Sequence, residues 1–320
     1  MKRIGVLTSG GDAPGMNACI RAIARSGPAC GLEIFGIERG YEGLIAGEIR
    51  KLGPRDVSDT IQRGGTFLKT ARSESFLTDD GFKMALNMVK TFKLDGIIVI
   101  GGNGSLQGAA KLSKAGVPII GLPGTIDNDL PFTDYTIGFD TAVNTVLSAI
   151  GNIRDTSNAH ERTTIIEVMG RECGDIAIYA GLTGGAEIIL VPENEIDIDD
   201  ICRVLIEGKN NGKSSSIILK AEGVDIDSVR LEEIILNRTG LDTKVVVLGY
   251  IQRGGSPTAQ DRMLASVLGN KACELFSKDI YNKSIGFRDG MIEVFDLEES
   301  LSVERKSLSH LHELAKVLAK

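Results

Sequence analysis

Two aspartates, Asp127 and Asp129, flank Asn128 in the run Pro123-Gly124-Thr125-Ile126-Asp127-Asn128-Asp129, just past an apolar segment at 118–122. On an extended segment alternate side chains point the same way, so both carboxylates would face one site. One then takes a hydroxyl proton while the other holds a metal or orients its partner. The competing reading is an Asx-rich turn with solvated acids. Positive charge comes from Arg72, Arg162, Arg171 in Met169-Gly170-Arg171, and Arg253 in Gln252-Arg253-Gly254-Gly255. The planar guanidinium fork matches phosphate oxygens. Two glycine loops, Thr8-Ser9-Gly10-Gly11-Asp12-Ala13-Pro14-Gly15 and Gly101-Gly102-Asn103-Gly104-Ser105, each follow an apolar run and open a helical pattern. Bare backbone and a helix start favour an anionic ligand there. Acids and glycine loops for one phosphate donor, with arginine forks for a second phosphate, fit phosphoryl transfer.

Other motifs fall away. Gly208-Lys209-Asn210-Asn211-Gly212-Lys213-Ser214 is one residue short of a nucleotide P-loop and precedes a strand pattern. The three histidines, His160, His310 and His312, make no serine triad, and each reads as a solvated surface residue. Five cysteines without a C-x-x-C pair indicate neither a zinc site nor a disulfide framework. A net charge of −7 argues against nucleic acid as a partner but leaves local arginines for small phosphorylated ligands. No apolar run approaches the roughly 18 residues of a membrane span, and no signal-peptide core is seen, so a cytoplasmic address is expected.

The elements that must position these residues alternate. Short apolar runs at 4–7, 32–37, 96–100, 118–122, 163–168, 187–191, 216–219 and 244–248 read as strands. Helical patterns at 15–26, 80–91, 106–115 and 141–154 lie between them. Continuous apolar strands joined through helices predict an α/β fold with mostly parallel sheets covered by helices, in two three-layer domains. In the tail, Leu308, Leu311, Leu314, Ala315 and Leu318 lie at helical spacing and predict a closing amphipathic helix over 302–320. Glycine, 39 of 320 residues, well exceeds the usual share of about 7%. It gathers where strands end.

The stretches LTSGGDAPGMN, QRGGTFLKTAR, VIGGNGS, GLPGTIDND, TIGFDTA, IRDT, EVMGRECGD and LGYIQRGGSP are similar to those of the bacterial ATP-dependent 6-phosphofructokinases, collinearly from residue 1 to about 290. The resemblance implies transfer of the γ-phosphoryl group of Mg-ATP to the 1-hydroxyl of fructose 6-phosphate. It implies an ATP-binding domain at 1–138 plus 251–301 and a fructose 6-phosphate-binding domain at 139–250 plus 302–320. It also implies Mg²⁺ as cofactor and a homotetramer with active sites shared between subunits. By the same resemblance Asp127 is the general base, Thr125 and Arg171 steady the phosphoryl group, and Asp129 supports metal and base. Gly11, Arg72, Ser73, Gly102, Asn103, Gly104 and Ser105 match the ATP cradle. The sugar-phosphate pocket would use Thr125, Asp127, Met169, Gly170, Arg171, Glu222, Tyr250 and Arg253, with Arg162 and Lys244 supplied by a neighbouring subunit. Small residues at Gly104 and Gly124 fit ATP users, since pyrophosphate-dependent relatives carry larger or charged residues there.

Three positions depart from the pattern, all at ligands. Asn103 stands for an aspartate that helps bind Mg²⁺, Lys244 for an arginine and Tyr250 for a histidine. An amide is a weaker ligand for a hard dication than a carboxylate, and lysine lacks the bidentate fork. These changes motivate one alternative, a catalytically weakened or regulatory sugar-phosphate-binding paralogue; a pyrophosphate-dependent phosphofructokinase is a separate one. Arg21, Arg25, Asp59, Arg154, Gly185, Glu187 and Lys213 match the family's effector site for ADP or phosphoenolpyruvate. Pro54, Asn211 and Ser214 stand where some relatives place basic residues, which weakens anion binding.

Overall fold

The apolar runs of the sequence become strands buried on both faces, as parallel strands covered by helices require. The computed structural model describes residues 1–319. From the N-terminus come β1 (Lys2–Ser9), α1 (Met16–Ala29), β2 (Leu32–Ile37), α2 (Gly40–Ala46), β3 (Ile49–Leu52) and α3 (Asp79–Thr91). Then follow β4 (Gly96–Gly101), α4 (Asn103–Lys114), β5 (Ile119–Thr125), β6 (Ile137–Gly138) and α5 (Phe139–His160). The next elements are β7 (Thr163–Val168), α6 (Asp175–Gly184), β8 (Ile188–Leu190), α7 (Ile198–Asn210), β9 (Ser216–Ala221), α8 (Ser228–Thr239) and β10 (Thr243–Val247). The chain closes with α9 (Ala259–Ser277), β11 (Lys283–Arg288), β12 (Met291–Asp296), α10 (Leu297–Ser300) and α11 (Ser309–Leu318).

The chain divides into two compact units. The first holds Met1–Ile126, Leu130–Thr141 and Arg253–Lys306; the second holds Asp127–Asp129, Ala142–Gln252 and Ser307–Lys320. This division puts residues 127–129 with the second unit and 302–306 with the first, unlike the boundaries expected from sequence. The first unit's sheet runs β12-β11-β5-β4-β1-β2-β3, with β6 paired to β5. Its centre is parallel, while β3 and β12 run antiparallel to their neighbours. β4, GIIVIG, is buried at all six residues. Pro123 is the last residue of β5 paired with β4, where its missing donor costs the ladder least. The second unit's sheet, β10-β7-β9-β8, is parallel throughout. Helix starts carry the expected caps: Thr78 accepts from Gly81 N–H, Asp197 from Asp200 N–H, and Thr258 from Asp261 N–H. Among the described residues no helix is long and apolar enough to cross a membrane.

Eight strands are expected from sequence and twelve are present among the described residues; β3, β6, β11 and β12 are the additions. The tail also differs. Residues 302–308 are not helical, and α11 begins at Ser309. Its buried positions are His312 and Ala315, whereas Leu314 and Leu318 face solvent. His312 is therefore no surface residue: Nε2 meets Ile189 O at 3.0 Å and Nδ1 meets Asn194 Nδ2 at 2.7 Å. Both ring nitrogens are satisfied, which lets a histidine occupy a core position.

One buried acid organises the start of α5. Asp261 on α9 is 1% exposed and accepts from Gly138 N–H and Thr141 N–H, each at 2.8 Å, and from the Thr141 hydroxyl. Burial pushes its carboxyl up to about 6 despite these donors. A folded-state value above the unfolded one means the folded chain holds this proton more tightly. The group therefore adds stability as pH falls through 6 and withdraws it as pH rises. Urea unfolding at pH 5, 6 and 7 should show wild type gaining about 1 kcal/mol over Asp261→Asn between pH 7 and pH 5. A difference that stays constant across that range contradicts this assignment.

Candidate active site

In the first unit, β5, β4 and β1 are adjacent and parallel, so their carboxyl ends share one edge, the usual binding edge of such sheets. The loops Ser9-Gly10-Gly11 and Gly101-Gly102-Asn103, together with Thr125, all sit on that edge. Gly102 is the residue preceding α4, and Asn103, Gly104 and Ser105 form its first turn. A Cβ built on Gly102 would lie 3.3 Å from Thr125 Cβ, which places these two side by side. Arg253, expected in the sugar-phosphate pocket, lies over the Gly11 loop: a Cβ on Gly11 would be 2.9 Å from its Nη1. Arg72 is exposed and makes no hydrogen bond or ion pair among the described residues, leaving its fork for an anion. Ser73 is committed otherwise, since its hydroxyl donates to Glu42 Oε2 at 2.7 Å and accepts from Phe76 N–H at 3.2 Å.

Gly104 and Gly124 differ in kind. A Cβ on Gly104 would meet nothing within 4 Å, so the protein's own packing does not demand glycine there. A Cβ on Gly124 would sit 2.8 Å from Ile100 Cγ2 and 3.3 Å from Met16 Cε, so glycine there is already required by the core. Sequence reasoning missed Tyr41, which donates to Ser105 O at 2.6 Å and stacks on Phe76 with centroids 4.2 Å apart. It braces the first turn of α4 from beneath. No local motif marks it, because Tyr41 and Ser105 are 64 residues apart in the chain.

In the second unit, Asp127 is 5% exposed and its Oδ2 lies 3.4 Å from Arg171 Nε. The segment is not extended. Asn128 has φ +54°, so the alternation expected to aim Asp127 and Asp129 together does not apply. Arg171 is also left-handed, φ +54°, and its N–H donates to Glu222 Oε1 at 2.9 Å. Gly170 at φ +137° has no room for a side chain: a Cβ would meet Cys173 O at 2.3 Å. The backbone itself thus turns the arginine towards Asp127. Met169 is buried, and its N–H donates to Gln252 Oε1 at 3.2 Å, while Gln252 Nε2 donates to Gly249 O at 3.0 Å. Gln252 is 0% exposed and was also missed; it ties the end of β7 to the turn carrying Tyr250, which is 79% exposed.

Arg162 and Lys244 stand apart from this group. They lie at the start of β7 and β10, paired at Thr243↔Thr163 and Lys244↔Thr164, whereas Met169–Arg171 follow the end of β7. Six strand residues span roughly 20 Å. Within one chain the two cations instead share Asp242, at 3.2 Å for Lys244 and 2.6 Å for Arg162. Hydrogen bonds from Lys244 and Arg162 hold the Asp242 carboxyl below its usual range.

The effector candidates fall in both units. Arg21 and Arg25 lie on α1, and Asp59 adopts φ +53° in an exposed loop. In the second unit Arg154 Nη2 donates to Gly184 O and Gly185 O at 2.9 and 2.8 Å, capping α6. Lys213 donates to Ala319 O at 2.7 Å and lies 3.6 Å from Glu187 Oε1. Cys173, Asp175 and Glu193 place a thiol and two carboxylates within 4.8 Å of one another. The carboxylates already serve the fold, Glu193 accepting from Gly174 N–H and Asp175 from Asn128.

The family model described as "Phosphofructokinase" matches residues 3–276. Over 319 residues, and all of both chains, the protein is 56% identical to an ATP-dependent 6-phosphofructokinase of Alkaliphilus metalliredigens. It is 55% identical to the Clostridium tetani protein of that name, again over the full length of both. Among solved structures, the phosphofructokinase of Saccharomyces cerevisiae aligns with all of this chain at 33% identity and a TM-score of 0.88; the match spans 48% of the yeast chain. The chain belongs to the phosphofructokinase family.

Proposed function

We propose that the chain transfers the γ-phosphoryl group of ATP to the 1-hydroxyl of fructose 6-phosphate, giving fructose 1,6-bisphosphate and ADP. The observation that carries this reading is the buried Asp127 carboxylate held against Arg171, one acid able to take a hydroxyl proton beside one cation able to meet phosphate. In the first unit the glycine loops and the open fork of Arg72 take the nucleotide phosphates. In the second, Asp127 accepts the proton of the sugar hydroxyl as the oxygen attacks. Arg171 offsets the negative charge gathering on the transferring group, and Thr125 of the first unit is assigned to steady the same group. Met169, Gly170 and Glu222 shape the sugar pocket. Arg162 and Lys244, set at the far end of their strands, are better placed to serve a neighbouring copy, which supports active sites shared within a homotetramer.

The residues proposed towards a metal are Asn103 in the first unit, through its amide oxygen, and Asp129 in the second, through its carboxylate, each a hard oxygen ligand that suits Mg²⁺ rather than a soft ion. Mg²⁺ would screen the phosphate oxygens during transfer. Asn103 is the weaker donor, since its Oδ1 also accepts from Gln107 Nε2 at 3.2 Å. Asn103→Asp should therefore lower the Mg²⁺ concentration for half-maximal rate by about 10- to 100-fold, read from initial rates across a Mg²⁺ titration. Superimposable titrations would contradict it.

The same amide favours a second reading, a sugar-phosphate-binding chain of weak turnover. A coupled assay of fructose 1,6-bisphosphate formation separates the readings. Turnover with ATP and not with pyrophosphate supports the kinase. Binding of fructose 6-phosphate without turnover at saturating Mg²⁺ supports the second reading, and turnover with pyrophosphate supports a different donor. An activating or inhibiting anion, ADP or phosphoenolpyruvate, is the proposed ligand of the Arg21, Arg25, Asp59, Arg154, Gly185, Glu187 and Lys213 set, and the protein is proposed to work in the cytoplasm.

A further inference from the structure

Asn128 turns the chain between the two acids, and the structure shows what holds that turn. Its φ of +54° lies in the left-handed region, which asparagine tolerates better than most residues but does not prefer. The residue is 4% exposed, so its amide must find partners inside the protein. Asp175 supplies one: Asn128 Nδ2 donates to Asp175 Oδ2 at 2.8 Å. Asp175 is itself 3% exposed and opens α6, where a helix start favours its negative charge. Its position is well fixed. The preceding Gly174 N–H is held by Glu193 at 2.9 Å, and the helix behind it is buried at Ile176, Ala177, Ile178 and Ala180.

Segment 169–175 thus meets the 127–129 turn twice, through Arg171 on Asp127 and Asp175 on Asn128. We propose that Asp175 is a positioning residue for phosphoryl transfer, fixing through Asn128 the backbone turn that aims the Asp127 carboxylate. The proposal rests on reading Asp127 as the base. A charged acceptor makes the stronger kind of hydrogen bond, and here it restrains the residue adjoining the base. Without it the turn loses a charge-assisted restraint that favours the left-handed conformation, and any relaxation of Asn128 towards the extended region swings Asp127 about the chain. A shift of about 1 Å in a reacting group is enough to lower a rate about 10²-fold. A purely structural acid at a helix start would instead affect melting and leave the chemistry alone.

The test uses the full chain with Asp175→Ala, Asp175→Asn, Asn128→Gly and the Asp175→Ala/Asn128→Gly double variant. Steady-state kinetics across pH and thermal melting are recorded for each. Asp175→Asn keeps an acceptor oxygen, and Asn128→Gly allows the left-handed turn at no steric cost but removes the amide that fixes it. Asp175→Ala should lower kcat about 10- to 100-fold, leave KM for ATP and fructose 6-phosphate within about twofold, and displace the acidic limb of the kcat profile. Asp175→Asn should recover most of that loss. Asn128→Gly should match Asp175→Ala, and the double variant should be no slower than either, as for two halves of one interaction. Unchanged kcat in folded Asp175→Ala or Asn128→Gly overturns the proposal, as do additive losses or an Asp175→Asn enzyme as slow as Asp175→Ala. If Asp175→Ala fails to fold, Asp175→Asn and Asn128→Gly decide. Full activity in Asp127→Asn would instead overturn the reading of the base, a result distinct from any of these.

Discussion

Replacing Asp127 by asparagine should lower kcat by about 10²–10⁴ while leaving the fold as stable as before or slightly more so. The two halves of that expectation share one cause. Asp127 is 5% exposed, and a carboxylate taken out of water carries a desolvation penalty that Arg171, at 3.4 Å and 55% exposed, only partly offsets. Asparagine keeps the shape and removes the charge, so the penalty goes, and with it the only group proposed to take the hydroxyl proton. Sites that sacrifice stability for chemistry behave this way. KM for ATP should hold, because the nucleotide is assigned to loops of the first unit. A melting temperature that falls by several degrees with kcat intact would make Asp127 a structural acid and remove the base from this account.

Arg171→Ala should lower kcat by about 10²–10³, the usual effect of deleting one donor to a developing negative charge. Arg171 is more than half exposed, so its loss should not unfold the chain. Its guanidinium is held by backbone rather than by packing: the left-handed φ of +54°, the N–H bond to Glu222 and the side-chain-free Gly170 set its direction. Arg171→Lys therefore keeps a charge in the right direction and should recover part of the rate but not all, for want of a planar fork. Rates for Asp127→Asn and for the double variant should be similar, since the two groups act on one transfer step. Independent, multiplicative losses would show that Arg171 serves binding alone.

How much of this was legible beforehand depends on the range over which each feature is written. β4 follows directly from an unbroken apolar run, because strands buried on both faces need no alternation. The edge strand β3 exposes Arg50 and Lys51, and β12 exposes Met291 and Val294 while half-burying Glu293 and Asp296, so neither carries an unbroken buried apolar run. The β11–β12 turn did have one: Asp289-Gly290, with φ +50° and +82°, is the pair that two-residue hairpins favour. α4 starts three residues before its apolar periodicity, at Asn103, because the exposed Asn103 and Gly104 of its first turn carry no apolar signal.

At the site, residue types were readable and geometry was not. Asp127, Arg171 and the glycine loops announce their chemistry locally. The left-handed turn at Asn128, its clamp on Asp175 and the tie from Gln252 to Met169 depend on partners 47 and 83 residues away. His312 is the same lesson in the tail: its core partners, Asn194 and Ile189, are 118 and 123 residues distant.

The central claim is that the terminal phosphoryl group of ATP reaches the sugar. Incubation with Mg²⁺, fructose 6-phosphate and ATP carrying ¹⁸O in its γ-phosphoryl group, followed by mass spectrometry, tests it directly. The account predicts the label in the new phosphate of fructose 1,6-bisphosphate, with one ADP formed per bisphosphate. Label found only in free phosphate or remaining in ATP would contradict it.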